Sequence, residues 1–233
     1  MTQSISIIIP VYNEADTIAT LIHFLQQYAN NVVKEIIVSD GGSSDATLSI
    51  ASDAGAVCFV SPQKGRAAQM NYGASKASGS ILYFVHADTF PPHSYTKDIV
   101  TAIERGYTCG RYKTRFNSTK KILLLNAWFT RFDWFMCYGG DQTFFIETSF
   151  FHQIGGFSSD MRIMEDYEIV VRAKKAGANY TILPGKSLVS ARKYDTNSWL
   201  RVQTANYTII RMYKKGATQK AMADTYKSLL NYR

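Results

Sequence analysis

Four short apolar runs punctuate the first third of the chain: Ser4 to Val11, Glu35 to Ser39, Ala56 to Val60 and Ile81 to Val85. Each is rich in β-branched or aromatic residues, the pattern of strands covered on both faces, which is typical of parallel sheet. Between them, Asp16 to Tyr28, Asp45 to Ala54 and Ala67 to Ala77 carry apolar residues at helical spacing and open with small or polar residues able to cap a helix. Strands alternating with helices predict an α/β sheet with helices on both faces. Right-handed crossovers then gather the loops after the strands, Tyr12 to Glu14, Asp40 to Asp45 and His86 to Pro92, along one edge, where a ligand is expected.

The second half is less regular. The pattern predicts a strand over Cys109 to Phe116, one aromatic-rich helix over Lys120 to Cys137, a strand over Gln142 to Glu147 and a helix over Glu165 to Lys175, hence a mixed sheet. Ser198 to Lys214 and Thr218 to Leu230 read as two terminal helices with aromatic and basic residues interleaved. No internal repeat or Gly/Ser/Pro-rich linker divides the chain, so one core with a C-terminal appendage is expected.

Composition supports that reading. With 233 residues, 46% apolar and 19% charged, the chain is neither disordered nor fibrous. Cys58, Cys109 and Cys137 are odd in number and lack C-x-x-C spacing, which disfavours a disulfide framework or a zinc site and predicts reduced thiols in a cytoplasmic protein. The start of the chain lacks the basic and long apolar regions of a secretory signal, so no cleavage is expected. The apolar stretch Ile122 to Cys137 is broken by Arg131 and Asp133, short of the ~20 residues a membrane span requires. The formal charge of +8 is uneven: Pro184 to Arg233 holds ten Lys/Arg and two acids, the remainder sixteen of each. A basic tail suits nucleic acid, an anionic membrane or an anionic substrate, or is a solvated face; charge does not choose among them.

Several segments carry candidate chemistry. Ile7-Ile8-Ile9-Pro10-Val11-Tyr12-Asn13-Glu14 ends a buried strand in a proline followed by polar residues, with Asn13 or Asp16 also able to cap the next helix. In Ser39-Asp40-Gly41-Gly42-Ser43-Ser44-Asp45 the glycines permit a tight turn, and Ser44 or Asp45 can cap. Asp40 has no evident local duty and can accept the imide N–H of uracil or the amide edge of guanine. Lys64-Gly65-Arg66 opens a helix whose N-terminus, with two cations beside it, suits a diphosphate; plain solvated charges are the alternative.

This order of segments resembles glycosyltransferase family 2, inverting nucleotide-sugar enzymes of the GT-A fold. I-I-I-P-V-Y-N-E and E-I-I-V-S-D-G-G-S-S-D carry the resemblance, with Gly41 where the family's D-D-G-S-T-D has its second acid. It implies a GT-A domain over 1–195, with a nucleotide-sugar half at 1–105 and an acceptor half at 106–195, and leaves 196–233 as the basic helical appendage. Pro10, Tyr12, Glu14, Asp40, Lys64, Arg66 and Asn71 would then line the donor nucleotide. Phe84-Val85-His86-Ala87-Asp88 falls at the family's D-x-D, whose carboxylates hold Mn²⁺ or Mg²⁺. Here His86 replaces the first acid, leaving Asp88 with an imidazole that suits Mn²⁺ better than Mg²⁺.

Gly139-Gly140-Asp141-Gln142, Gly155-Gly156-Phe157 and Met164-Glu165-Asp166 follow in the family's order. There the aspartate of E-D is the general base, which makes Asp166, with Glu165 beside it, the candidate for activating the acceptor hydroxyl, and puts Asp141 and Gln142 on the acceptor side. Ser190-Ala191-Arg192-Lys193-Tyr194 lies where some members carry S-A-R-R-W, so Arg192 would meet the leaving diphosphate.

The implied partners are a UDP-sugar rather than a GDP-sugar, and an unidentified, conceivably lipid-linked, hydroxyl acceptor; no nucleic acid is implied. Each residue also has a plainer reading: His86 as a core histidine, Glu165, Asp166 and Glu168 as first-turn acids, Arg192 as a solvated charge. The basic tail and Trp128, Phe129, Phe132, Trp134 and Phe135 either rest on an anionic membrane face, the inner one for a cytoplasmic protein, or form packed core and a homodimer contact. A catalytically silent nucleotide-binding scaffold on the same fold is the rival to an enzyme. A nucleotidyltransferase is a weaker rival, because Val11-Tyr12-Asn13-Glu14 is neither glycine-rich nor basic.

Overall fold

A computed structural model describes residues 3–139 and 142–231. Eight strands form one sheet: β1 (Ile5–Val11), β2 (Val33–Asp40), β3 (Val57–Val60), β4 (Ile81–Phe84), β5 (Thr89–Phe90), β6 (Cys109–Asn117), β7 (Phe144–Glu147) and β8 (Tyr180–Ser190), in the order β3-β2-β1-β4-β7-β6-β8-β5. Strands β3, β2, β1 and β4 run parallel. β7 enters antiparallel between β4 and β6, and β6 and β8 are again parallel. This is the mixed α/β sheet expected of a GT-A fold.

Around it lie α1 (Ile18–Gln27), α2 (Thr47–Asp53), α3 (Arg66–Lys76), α4 (Tyr95–Glu104), α5 (Ile122–Phe129), α6 (Thr148–Gln153), α7 (Glu165–Lys175), α8 (Lys193–Thr196), α9 (Trp199–Lys214) and α10 (Gln219–Leu229). The largely apolar strands are buried from Ile5 through Val11 and from Ile81 through Phe84. One face of the sheet packs on α1 and α4 through Ile18, Leu21, Ile22, Leu25, Tyr95 and Ile99. The other packs on α3 and α7 through Ala67, Met70, Ala74, Ile169, Val170 and Ala173. Pro10 sits where it costs no ladder bond to β4, because the register of β1 with β4 ends at Ile8.

The tail helices are not loosely appended. Val202 and Ala205 of α9 and Leu230 pack on Leu123 of α5. Ile209, Ile210 and Met222 pack on Met164, immediately before α7.

Two features depart from the sequence pattern. β5, α4, α6 and β8 were not anticipated: β8 is defined by its long register with β6, a partner remote in sequence. The single helix expected over Lys120 to Cys137 is instead α5 and a separate 3₁₀ turn at Phe135–Cys137. The cause is Arg111 of β6, only 2% exposed. Its guanidinium donates to the carbonyls of Thr130 at 2.7 Å and Phe132 at 3.2 Å, which pulls both out of any helical ladder. The Thr130 hydroxyl completes the break, donating to Ala127 O at 2.7 Å and accepting from Thr114 N at 2.9 Å.

Close approach makes Gly110 a test of the β7-β6-β8 junction. A Cβ there would lie 2.4 Å from Thr181 O and 2.9 Å from the Phe145 ring. Gly110→Ala is expected to destabilise the fold by about 1–3 kcal/mol, read as a lower urea midpoint at unchanged slope. An unaltered midpoint would mean the strands are not so closely joined.

Candidate functional site

The carboxyl ends of β1, β2 and β4 meet at one edge, and side chains knit their loops together. Asn13 takes a left-handed conformation, φ 53°, a region Asn tolerates better than most residues. Its amide N–H donates to Ser43 Oγ at 2.9 Å, while its Oδ1 accepts from Ser44 N at 2.8 Å. Glu14 N donates to Thr47 Oγ1 at 2.8 Å, and Asp45 Oδ2 accepts from Ala15 N at 3.3 Å. The Thr47 hydroxyl, donating to Asp45, holds that exposed carboxyl below its ordinary range, so Asp45 is a structural acid of the turn.

Asp40 is buried, and its carboxylate is already engaged. Oδ2 accepts from Gly42 N at 2.8 Å and Ser43 N at 2.9 Å, and Oδ1 accepts from the Ser43 hydroxyl. The expectation that Asp40 has no local duty is therefore corrected: it builds the turn. Of roughly four acceptor positions on a carboxylate, three are taken, leaving about one for a ligand. Lys64 lies beside that turn, its Cε 3.8 Å from where a Cβ on Gly42 would sit. Tyr12 is exposed at the rim, whereas Pro10 is buried behind it.

Behind the edge is a residue the sequence pattern did not single out. Gln69, buried on α3, donates through Nε2 to Val11 O at 2.6 Å and Ser39 O at 2.9 Å, tying the ends of β1 and β2. The only sequence signal was a polar residue on a helix face otherwise made of Ala, Met and Gly.

Asn71, expected beside the donor, also has a structural duty: Nδ2 donates to Phe157 O at 2.7 Å and Oδ1 accepts from Phe157 N at 2.8 Å. Arg172 grips the same loop, donating through Nη2 to Gly156 O at 2.6 Å while pairing with Glu168 through Nε at 2.6 Å. Gly156, at φ 68°, is crowded by Asn71 Oδ1, 2.7 Å from a would-be Cβ, so the Gly-Gly-Phe segment is a clamped turn.

Charged residues from distant segments converge at the same edge. Arg192 forms a two-pronged pair with Glu14, Nη2 to Oε1 at 2.6 Å and Nη1 to Oε2 at 3.0 Å, and also reaches Asp88 Oδ2 at 3.2 Å. One guanidinium thus bridges two carboxylates and offsets only part of their charge. His86, two residues before Asp88, is nearly buried at the end of β4. Among the described residues no three His, Cys, Asp or Glu side chains converge to hold an ion by themselves.

On the far side, Arg66 Nη1 pairs with the buried Glu165 at 3.3 Å, joining the first residues of α3 and α7. Glu165, expected beside the base, is thus engaged by a cation. Asp166, half-buried, lines a small crevice with Arg111, Gln142 and Thr143. Gln142 donates from Nε2 to the carbonyls of Cys137 and Gly139, both at 2.9 Å, while its buried Oε1 has no partner among the described residues. Asp141 lies outside the described residues. All three cysteines are free, and burial raises each thiol, Cys109 to about 12, so none is a ready nucleophile.

The sequence pattern of Glycosyl transferase family 2 matches residues 6–167, from β1 into α7, and so takes in the edge just described except Arg192. The chain belongs to glycosyltransferase family 2. Glucosyl-3-phosphoglycerate synthase of Mycolicibacterium paratuberculosis (strain ATCC BAA-968 / K-10) is 34% identical over 101 residues, 39% of this chain and 30% of that protein. Glycosyltransferase AglE of Haloferax volcanii is 34% identical over 107 residues, 42% of this chain and 35% of that protein. These matches span about a third of the length of those relatives.

The fold recurs in solved family structures. S. aureus TarS 1-349 in complex with UDP-GlcNAc superposes with a TM-score of 0.67 at 17% identity, covering 82% of this chain and 59% of that one. Glucosyl-3-phosphoglycerate synthase of Mycobacterium tuberculosis with Mg²⁺ and UDP gives 0.62 at 15% identity, covering 81% and 70%. This family member thus shares the GT-A fold with them.

If Asn71 is a clamp, Asn71→Ala leaves a backbone N–H and carbonyl without partners. It should lower stability by about 1–3 kcal/mol with no nucleotide present, measured by thermal unfolding. An unchanged melting temperature would return Asn71 to ligand duty.

Proposed function

We propose that this protein transfers a sugar from a nucleoside-diphosphate sugar, UDP-linked, to a hydroxyl acceptor, with inversion at the anomeric carbon. The observation that carries the reading is the meeting of Glu14, Asp88 and Arg192 at the strand edge, with Asp166 in a separate crevice across α7. Carboxylates bridged by a cation at the strand edge, and a separate carboxylate to act as base, suit a direct displacement. Asp166 would accept the acceptor's proton as its oxygen attacks the anomeric carbon. The bond to the diphosphate then breaks, and its electron pair leaves with the nucleotide. The TarS and synthase complexes with UDP-GlcNAc and UDP support the choice of uridine.

The donor side follows the same logic. The remaining acceptor position of Asp40 would take the uracil imide N–H, Lys64 and Arg66 would meet phosphates, and Tyr12 would cover the base at the rim. The residues fit a divalent ion that travels with the diphosphate rather than one caged by protein. Such an ion needs only one or two carboxylates and completes its shell with phosphate oxygens and water. Asp88, with His86 beside it, would hold Mn²⁺ or Mg²⁺, whose chemistry is to offset charge on the departing diphosphate. Arg192 would be released from Asp88 as that charge arrives, becoming available to the diphosphate itself.

Two variants test this reading. Asp166→Asn should reduce transfer by about 10²- to 10⁴-fold while UDP affinity, measured calorimetrically, is retained. An intact protein that binds UDP but never turns over would instead support the silent scaffold. Arg192→Ala removes the cation that Asp88 and Glu14 share, so Mn²⁺ alone should bind the variant more tightly than the parent, while transfer slows. Equal or weaker Mn²⁺ binding would remove Asp88 from the metal site.

A further inference from the structure

The aromatic cluster that the sequence left between core and surface lies largely on the surface. On α5, Leu123 turns inward to Val202, Ala205 and Leu230, and Asn126 accepts a hydrogen bond from the Trp199 indole N–H at 2.9 Å. The rest of the helix faces out: Leu124 is 68% exposed, Leu125 45% and Trp128 44%. Past the break that Arg111 imposes, Trp134 is 53% exposed and Met136 62%. The rings shield one another, Phe132 stacking on Trp134 at 4.5 Å and packing edge-on to Trp128 at 4.8 Å, yet Trp128 and Trp134 stay exposed among the described residues. A contiguous apolar face on a soluble domain marks an interaction surface.

Its surroundings are of one sign. From Lys113 to Arg131 there are five Lys/Arg and no acid. Arg115, Lys120, Lys121 and Arg131 are exposed, with Lys120 also donating to Tyr194 O. The Arg131 guanidinium lies 5.2 Å from the Trp128 ring centre, at the rim of the face. The next acid, Asp133, is neutralised by Lys174 at 2.5 Å and accepts from the Tyr138 hydroxyl at 2.8 Å. No helix among the described residues is long and apolar enough to cross a bilayer.

We propose that α5 and the Thr130–Met136 segment form a docking face for an anionic lipid bilayer, lying in the interface plane with the apolar side chains inserted and the basic collar at headgroup level. Aliphatic and indole side chains ringed by Lys and Arg are the chemistry such an interface rewards. A second copy of the chain is a poorer occupant. A two-fold contact would set the same patch against itself and bring the two basic collars together. The face also connects to the crevice: Met136 is followed by Cys137, whose carbonyl Gln142 holds beside Asp166. Resting on the transfer reading, that continuity brings a hydroxyl borne on a lipid to the candidate base.

The test is flotation of the purified full chain with phosphatidylcholine vesicles, with and without about a quarter phosphatidylglycerol, alongside the triple variant Leu124→Ser/Trp128→Ser/Trp134→Ser. All three positions are exposed and lie outside the buried core, and thermal unfolding checks that the variant is folded before it is compared. The parent should float with the anionic vesicles, release in high salt, and show a blue shift of tryptophan emission on binding. The variant should bind about tenfold or more weakly. Failure of the parent to float overturns the proposal, as does equal flotation of the variant. So does a parent dimer that the triple substitution converts to monomer. UDP titration of both proteins keeps the readings apart: absent UDP binding counts against sugar transfer and leaves the vesicle result standing.

Discussion

A buried guanidinium sets much of the second half of the chain. Taking a cation out of water costs several kcal/mol unless its donors are satisfied. Arg111 is satisfied largely by main-chain carbonyls, those of Tyr112, Thr130 and Phe132. Carbonyls given to an arginine cannot close a helix, so α5 ends at Phe129 and the chain turns through a short irregular stretch into the 3₁₀ turn at Phe135–Cys137. That route leaves Trp134 and Met136 facing outward and delivers the Cys137 carbonyl to Gln142. One strand residue therefore links the shape of the apolar face to the wall of the crevice beside Asp166.

The strand edge of the first half is assembled differently, by short-range hydrogen bonds between loops and one long-range ionic contact. Gln69 fixes the ends of two parallel strands, and Asp40 folds its own turn against them. Arg192 then reaches from beyond β8 to the ends of β1 and β4. Glu14 and Asp88 are only slightly exposed, so that two-sided pairing limits the repulsion between carboxylates held near each other. Rigid scaffolding at the strand ends and a single long side chain across them divide the work between shape and charge.

The first four strands and their crossover helices were legible because their periodicity is local, as were α7, α9 and α10. β8 was not, since its partner β6 lies some seventy residues away in a register no local pattern encodes. α4 has an ordinary apolar stripe, Tyr95, Ile99, Ala102 and Ile103, but Pro91 and Pro92 just before it obscure its start. At the site, residue order pointed to Asp88, Asp166 and Arg192, and these do stand at the edge or in its crevice. What spacing could not tell was which polar groups the fold would spend on itself. Asp40 and Asn71 look free in sequence because their partners are backbone atoms of turns that exist only once folded.

Met164 shows why the last two helices are not dispensable. Its backbone holds φ 71°, a conformation that suits glycine, directly before Glu165 and Asp166. A glycine would relieve that strain, of the order of 1–3 kcal/mol, but would leave nothing to fill the pocket among Ile209, Ile210 and Met222. Gln219 reinforces the arrangement, its Oε1 accepting from Arg162 N at 3.0 Å and Ile163 N at 3.2 Å. The terminal helices thus act as a splint for the segment that aims Asp166. A chain truncated after α8 would keep Glu14, Asp88 and Arg192 at the strand edge yet lose the support that keeps α7 starting where it does.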